Sequence, residues 1–160
     1  MNENKQLAFQ DCYPDDYAHC FGCGRLNEKG HRIKSFWDGD DSVCSVQPQA
    51  WYSGGMKHIL YGGLIASLID CHGAATAAAA KARELKIDLK PGSMPRFVTA
   101  ALKVDYLAPV PIDSEVKLRA RAKSIDGRKV VVEATLSARG AVCARGEGLF
   151  IQLKDDVSLK

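Results

Sequence analysis

The feature that most constrains the fold is one long apolar run in the middle of the chain. The pair Gly62-Gly63 opens a predicted helix that extends to about Lys86. Its first half is apolar on nearly every side, which predicts a helix buried inside the protein rather than one lying on its surface. Between Gly62 and Ala80, Asp70 is the only formally charged residue. A chain of 160 residues is long enough to bury such a helix within one domain.

The segments on either side of the helix have the patterns of β-strands. Two strands are predicted before the helix and four after it, at residues 31–37, 42–47, 97–107, 115–123, 129–138 and 141–153. Tight turns such as Asp126-Gly127 join the later strands, and hairpins make neighbouring strands antiparallel. One face of this sheet needs covering, and the apolar helix is the element available to cover it. The sequence therefore predicts an α+β fold, with an antiparallel sheet of about six strands wrapped around one long central helix.

The boundaries of this unit are also predicted. Residues 1–160 are expected to form a single domain, of which residues 1–30 are an irregular N-terminal segment. Within the last strand, Gly146 and Gly148 predict a bend or a bulge, because glycine in a strand interior often marks one.

Composition and charge exclude several classes of protein. A net charge of +3 is far below the basic excess of a dedicated nucleic-acid-binding domain. The first sixteen residues have no long apolar run, so no secretory signal is predicted. The window from Leu64 to Ala80 is interrupted by Asp70 and is predicted to be too short and too weakly apolar to cross a bilayer. The six scattered cysteines are expected to be free thiols in a reducing cytoplasm, with neither nucleic acid nor a membrane as partner.

Asp70 is the first candidate for chemistry. An ionised carboxylate in an apolar environment is costly unless it is paired or hydrogen-bonded. Its helical neighbours, Ala66, Ser67, Gly73 and Ala74, are all small, so the carboxylate lies in a local notch. Gly73 in a helix interior indicates the close approach of another group. One interpretation is a general base or nucleophile beside a cavity; the other is a buried carboxylate satisfied by the backbone amides of a neighbouring segment.

Gly62 and Gly63 are the second candidate. A helix N-terminus presents unpaired N–H groups and a partial positive charge, and glycine lets a ligand oxygen approach that backbone closely. Such a site can stabilise the oxyanion of acyl transfer. The alternative is a glycine pair that only turns the preceding loop into the helix.

These residues carry a family resemblance. The segment Tyr61-Gly-Gly-Leu-Ile-Ala-Ser-Leu-Ile-Asp70 resembles the His-Gly-Gly-x6-Asp signature of hotdog-fold acyl-CoA thioesterases of the phenylacetate-degradation type. Residues 97–109 are similar to the strand that follows the helix in that family. The motif Cys20-Phe-Gly-Cys-Gly24 resembles the opening of one of its subgroups. The likeness extends from about Cys20 to Leu153.

The resemblance implies a fold, an assembly and a reaction. It implies a hotdog fold, a homo-oligomer (dimer or tetramer), and hydrolysis of an acyl-CoA thioester to free acid and CoA in a cleft between subunits. Asp70 matches the general base or nucleophile, Gly62 and Gly63 match the glycines whose amides polarise the carbonyl, and Thr99 matches a residue that positions water from across the dimer. No separate cofactor is implied, because coenzyme A is part of the substrate. By simple alternation, Thr99 is expected to share a strand face with Lys103 and Asp105.

The sequence departs from the family pattern at two positions. Tyr61 replaces the usual His, and Gly55 stands where some relatives have an Asn. Tyr61 or His58 is therefore a candidate donor to the substrate, and Arg96 is a candidate for the CoA phosphates. These departures keep a non-catalytic acyl-CoA or acyl-carrier-protein binding module open as an alternative function. A hydratase or dehydratase that uses His58 is a third interpretation.

Other polar groups have plainer interpretations. Cys20 and Cys23 have the spacing of zinc ligands, but no second cysteine pair follows, so no metal is predicted and the segment is expected to pack near the active site. His72 is expected to be a hydrogen-bonded core residue. The alternating basic residues of the fourth strand, Lys117 to Lys123, are interpreted either as a solvated sheet face or as an attraction for CoA phosphates.

Overall fold

The computed structural model describes residues 6–154. The extreme ends of the predicted domain, residues 1–5 and 155–160, lie outside the described residues. Two short 3-10 turns, Phe9–Cys12 and Asp15–Tyr17, precede the sheet. The regular elements that follow are β1 (Ser35–Asp38), β2 (Asp41–Val46), α1 (Gly62–Glu84), β3 (Phe97–Tyr106), β4 (Val116–Asp126), β5 (Lys129–Ala138) and β6 (Ala141–Gln152).

The six strands form one sheet in the order β1-β2-β4-β5-β6-β3, and every neighbouring pair is antiparallel. Helix α1 packs across the face formed by β3, β4, β5 and β6. The predicted hotdog architecture is thereby confirmed. The order leaves β3 at one edge of the sheet and the much shorter β1 at the other.

Small side chains let α1 lie close to the sheet. Most of its second half is buried alanine: Ala75, Ala77, Ala78, Ala79, Ala80 and Ala82. With 23 residues, α1 is long and apolar enough by length and composition to cross a membrane, so the expectation that it is too short is wrong. However, 72% of its most apolar window is buried inside the protein, which is the environment of a core helix.

Three glycines, one in α1 and two in β6, serve close packing between the helix and the sheet. A Cβ atom at Gly73 would lie 2.8 Å from the Phe150 ring, which confirms that this glycine admits a close neighbour. Of the predicted bend or bulge at Gly146 and Gly148, the bulge does not form, because both residues pair regularly with β3 and β5. A Cβ atom at Gly146 would collide with the Ile69 side chain, and one at Gly148 would lie 2.5 Å from the Phe150 ring. These glycines therefore make room for α1 and for Phe150.

His72 is the buried, hydrogen-bonded residue that the sequence predicts. It is fully buried, with Nδ1 2.8 Å from the Ser35 hydroxyl and Nε2 3.2 Å from the Ser42 hydroxyl. The Ser42 hydroxyl is also 2.6 Å from that of Thr76, and Gln10 donates to the Ser35 hydroxyl at 2.9 Å. Burial lowers the pKa of His72 to about 4. This network ties α1 to β1, β2 and the first 3-10 turn.

Candidate active site

Asp70 and Thr99 meet in the structure. Asp70 lies about two turns into α1, and Thr99 lies near the start of β3. The Thr99 hydroxyl donates a hydrogen bond of 2.6 Å to Asp70 Oδ1 in the same chain. Because only one carboxylate oxygen is engaged in this bond, Oδ2 is the oxygen with lone pairs to offer to a water molecule or a ligand.

A bulge in β3 turns Thr99 toward the helix. The pairing of β3 with β6 shifts between Thr99 and Ala101, so Ala100 is an extra residue in the strand. Across a bulge, the side chains that would have faced one side of the sheet face the other side. Thr99 pairs with buried Phe150 on the helix-facing side, whereas Lys103 projects to the opposite face. The expectation that Thr99 shares a face with Lys103 and Asp105 is therefore wrong.

A cavity of about 340 Å³ opens beside Asp70. It is bounded by α1, the start of β3 and the N-terminal segment, through Tyr13, Asp16, Tyr17, His19, Cys20, Cys23, Asp70, Cys71, Ala74, Phe97, Val98 and Thr99. Asp70 is half-buried here. Burial raises the pKa of its carboxyl group by removing water from the charged form, and the hydrogen bond from Thr99 opposes that rise. The carboxylate is thus held in place yet open to a small molecule.

The N-terminal segment supplies an aromatic wall that sequence reasoning missed. The Tyr17 hydroxyl donates to the carbonyl oxygen of Phe97, which fastens the second 3-10 turn to the start of β3. Burial raises the pKa of Tyr17 to about 12, so the phenol stays protonated as a donor. Arg96 forms an ion pair of 3.3 Å with Asp16, a residue at the cavity wall. No spacing rule links Tyr17 to Phe97, so the sequence carried no signal for this contact.

Gly62 and Gly63 form the first turn of α1, as predicted. Their N–H groups belong to the set that has no partner within a helix. The Tyr106 hydroxyl, at the end of β3, donates 2.8 Å to the Gly62 carbonyl, a contact that the sequence did not predict. Eight residues separate Gly62 from Asp70, so the two lie about 12 Å apart along the helix axis. Within one chain, one thioester group therefore does not contact the Gly62 amide and the Asp70 carboxylate at the same time.

The remaining predicted substrate-binding residues surround this helix end. Tyr61 immediately precedes α1 and is largely exposed, and its ring lies so close to Gly63 that a Cβ atom there would collide with it. His58 and Gly55 are exposed in the loop before the helix. Tyr61, His58 and Gly55 thus lie on the Gly62 side and away from the residues that line the Asp70 cavity.

Three cysteines meet at the wall of the cavity. Cys20, Cys23 and Cys71 hold their sulfur atoms within 4.8 Å of one another, and the Cys20 and Cys71 sulfurs are 3.7 Å apart. Hydrogen bonds from the Cys23 and Cys71 thiols lower the pKa of Cys20 to about 2. The same bonds to Cys20 raise the pKa of the other two thiols. The prediction that the Cys20 segment packs near Asp70 agrees with this geometry, but Cys71 was not considered.

The basic residues of β4 lie on the opposite, exposed sheet face. Arg119 forms ion pairs with Asp38 at 2.5 Å and Asp41 at 2.7 Å, and Arg121 pairs with Asp41 at 2.5 Å. Lys123 pairs with glutamates of β5 and β6. This alternation of charge favours a solvated face over a phosphate site.

The comparisons with known proteins agree with this geometry. The model of the Thioesterase superfamily matches residues 57–144. A thioesterase superfamily protein from Shewanella loihica PV-4 is 40% identical, with 88% of this chain and 98% of that chain covered and a TM-score of 0.67. The PaaI protein from the phenylacetic acid degradation operon of E. coli is 16% identical, with 78% and 81% covered and a TM-score of 0.62, a likeness that shows the fold alone. Among the curated proteins, none matches the chain.

Proposed function

Since the chain belongs to the thioesterase superfamily, we propose that it hydrolyses an acyl-CoA thioester to a free acid and CoA in the cytoplasm. The observation that carries the proposal is the Asp70 carboxylate, fixed by Thr99 at the wall of a cavity large enough for a small acyl group. Coenzyme A enters as part of the substrate, so the proposal includes no resident cofactor.

Asp70 is the proposed catalytic residue. As a general base, it takes a proton from a water molecule while the water oxygen attacks the thioester carbonyl carbon, and the CoA sulfur leaves as the C–S bond breaks. As a nucleophile, the same carboxylate attacks that carbon and water later cleaves the anhydride. Both routes require an ionised carboxylate with a free oxygen facing the cavity. The single hydrogen bond from Thr99 to Oδ1 supports that arrangement.

The amides of Gly62 and Gly63 are proposed to polarise the carbonyl of a substrate held by a second copy of the chain. The distance of about 12 Å along one helix supports an arrangement in which Asp70 and Gly62 of the same chain serve different active sites. Tyr61 and His58, beside the glycines, are then positioned to assist at the partner's site. Arg96, at the rim of the Asp70 cavity through its pair with Asp16, is the proposed cation nearest to the CoA moiety.

Strand β3 is the proposed edge for this association. It is ten residues long, it is an edge strand, and most of its side chains are exposed, including the apolar Val98 and Tyr106. Long edge strands with apolar side chains pair readily with another strand, because their outer N–H and C=O groups lack partners in the sheet. Pairing two β3 strands brings two copies of the chain together on the side of the sheet that carries Thr99.

The proposed reaction is tested by release of free thiol from a panel of short, medium, long and aryl acyl-CoAs. Turnover of at least one substrate by the purified protein is expected. If the folded protein binds acyl-CoA in calorimetry but hydrolyses none of the panel, the proposal fails and the binding-module alternative takes its place.

Thr99 is expected to act as a positioning residue. Thr99→Val removes the donor to Asp70 and keeps the side-chain shape, so kcat is expected to fall about tenfold or more, with KM little changed, as suits a lost hydrogen bond to a charged group. Thr99→Ser retains the hydroxyl and is expected to restore most of the rate. Steady-state kinetics on all three proteins check this, and a fully active Thr99→Val variant would show that the bond contributes nothing.

A charged β3 edge is expected to disrupt the assembly. Val98 and Ala101 share the outward side of β3, so a Val98→Lys/Ala101→Lys variant places like charges from two copies near each other. Its dimer dissociation constant in sedimentation experiments is expected to rise at least about tenfold. Assembly alone is the readout, because Val98 also lines the Asp70 cavity. The matched control, Gln47→Lys/Gln49→Lys, adds the same charge at exposed positions after β2 and is expected to leave the dissociation constant unchanged. An unchanged assembly in the β3 variant would exclude β3 as the interface.

A further inference from the structure

We propose that Cys20, Cys23 and Cys71 bind a thiophilic metal ion, Zn²⁺ in the first instance, which fastens the N-terminal segment to α1 beside Asp70. The inference does not depend on the proposed hydrolysis, because its readout is metal content rather than activity.

The sulfur geometry is close to that of a tetrahedral thiolate site. With Zn–S bonds of about 2.3 Å, two sulfurs of a tetrahedral zinc ion lie roughly 3.8 Å apart. The Cys20 and Cys71 sulfurs are 3.7 Å apart, and all three sulfurs fall within 4.8 Å of one another. Small side-chain rotations therefore suffice to bring three ligands to one ion. Thiolate ligands select Zn²⁺ or Cu⁺ over hard cations such as Mg²⁺.

The loop that carries two of the ligands is built like a metal-binding turn. Cys20 and Cys23 have the C-x2-C spacing of zinc sites. A bond of 2.8 Å from Gly24 N to the Cys20 carbonyl closes the turn. The turn is thus preorganised to present both sulfurs in the same direction.

Gly22 lets this loop lie directly on Cys71. A Cβ atom at Gly22 would collide with the Cys71 sulfur, so only glycine allows the loop to approach the helix at this depth. The hydrogen bonds from His31 N to the Phe21 carbonyl and from Ile33 N to the Gly22 carbonyl hold the loop there. The third ligand, Cys71 of α1, thus lies beside the loop although it is 51 residues from Cys20 along the chain.

The three cysteines also border the Asp70 cavity, so a fourth ligand, a water molecule, reaches the ion from that side. An ion bound here joins the wall of the active site to α1 at the residue next to Asp70. Metal binding is then expected to stabilise the folded protein and to protect the three thiols from alkylation.

The test is a Zn²⁺ titration of reduced, chelator-stripped full-length protein against a chromophoric chelator, with metal content measured by mass spectrometry. One Zn²⁺ per chain and a higher Tm on binding are expected. Cys20→Ser and Cys71→Ser should weaken binding at least about a hundredfold. The matched control Cys143→Ala, a buried cysteine outside the cluster, should bind as wild type does.

A second variant keeps all ligands and changes only their approach. Gly22→Ala is expected to weaken Zn²⁺ binding because the added methyl group pushes the loop away from Cys71. Co²⁺ loading should give a thiolate-to-metal charge-transfer band that is lost in Cys20→Ser. Because Cys20 is exposed, circular dichroism of this variant should match that of wild type. The proposal is overturned if no Zn²⁺ binds, if both cysteine variants bind as tightly as wild type, or if the unreduced protein shows four free thiols, the count expected for a Cys20–Cys71 disulfide.

Discussion

Replacing Asp70 by asparagine is expected to lower kcat/KM for thioester hydrolysis by a hundredfold or more. Loss of a general base typically costs about 10²–10⁴ in rate. Asparagine has the size of aspartate, and its carbonyl oxygen can still accept the bond from Thr99, so the local structure is preserved. The carboxamide, however, neither takes a proton from water nor attacks the carbonyl carbon.

Thiol release from the best substrate measures this effect directly. The matched control is Asp126→Asn, which removes an exposed carboxylate at the turn between β4 and β5, outside the lining of the Asp70 cavity, and is expected to retain full activity. Circular dichroism should show the same fold for all three proteins. Wild-type rates in the Asp70→Asn protein would remove Asp70 from the chemistry and shift attention to the Gly62 end of α1.

Replacing His72 by alanine is expected to give the largest loss of stability, about 3 kcal/mol in the free energy of unfolding. The substitution removes both hydrogen bonds to the Ser35 and Ser42 hydroxyls and leaves a cavity in the core. Urea denaturation of wild type and variant measures the difference. His58→Ala, at an exposed position, is the control and should change stability by less than about 0.5 kcal/mol. A similar loss in both variants would contradict a special role for the buried network.

The same residue predicts how stability depends on pH. The folded pKa of His72, about 4, lies below its ordinary value of 6.5 because burial disfavours the charged form. Between these values the unfolded chain binds a proton that the folded protein does not, so stability falls as pH falls through this window. From pH 7 to pH 5 the loss from this group is about 2 kcal/mol. In His72→Ala, the fall in the free energy of unfolding between pH 7 and pH 5 should be smaller by about that amount. Both proteins are measured in EDTA, so that metal binding does not contribute.

The sequence predicted the architecture well because its strongest signals are local. Strand alternation, tight turns and one apolar helix determine which layer each element joins, and the observed sheet follows. The alternation predicted for β4 and β5 is observed. The prediction that assumed uniform alternation along β3, with Thr99 on the same face as Lys103 and Asp105, failed. Ala100 inserts one extra residue before Leu102, and no feature of the segment 97–109 marks the bulge, because alanine is compatible with both regular and bulged strands.

The residues of the candidate site also fall into two groups, those that the sequence identified and those that it did not. Asp70 and the glycines stand out from the sequence, since a charge in an apolar helix and a glycine pair at its start are unusual by themselves. Tyr17, Cys71 and Tyr106 were missed because their roles arise from contacts between distant segments. Cys71 in particular looks like any buried thiol until the loop of Cys20 and Cys23 is seen to lie against it.

The alanines of α1 have a consequence for how this protein tolerates change. Ala77, Ala78 and Ala79 are buried in α1 with almost no exposed surface. A larger side chain would overpack their surroundings, at about 1–3 kcal/mol, and glycine would forfeit about 1 kcal/mol of helix propensity. At each of these positions, both a larger and a smaller residue than alanine are therefore expected to lower the free energy of unfolding. Variation among descendants of this chain should accumulate on the outward sheet face, while this half of the helix stays nearly invariant.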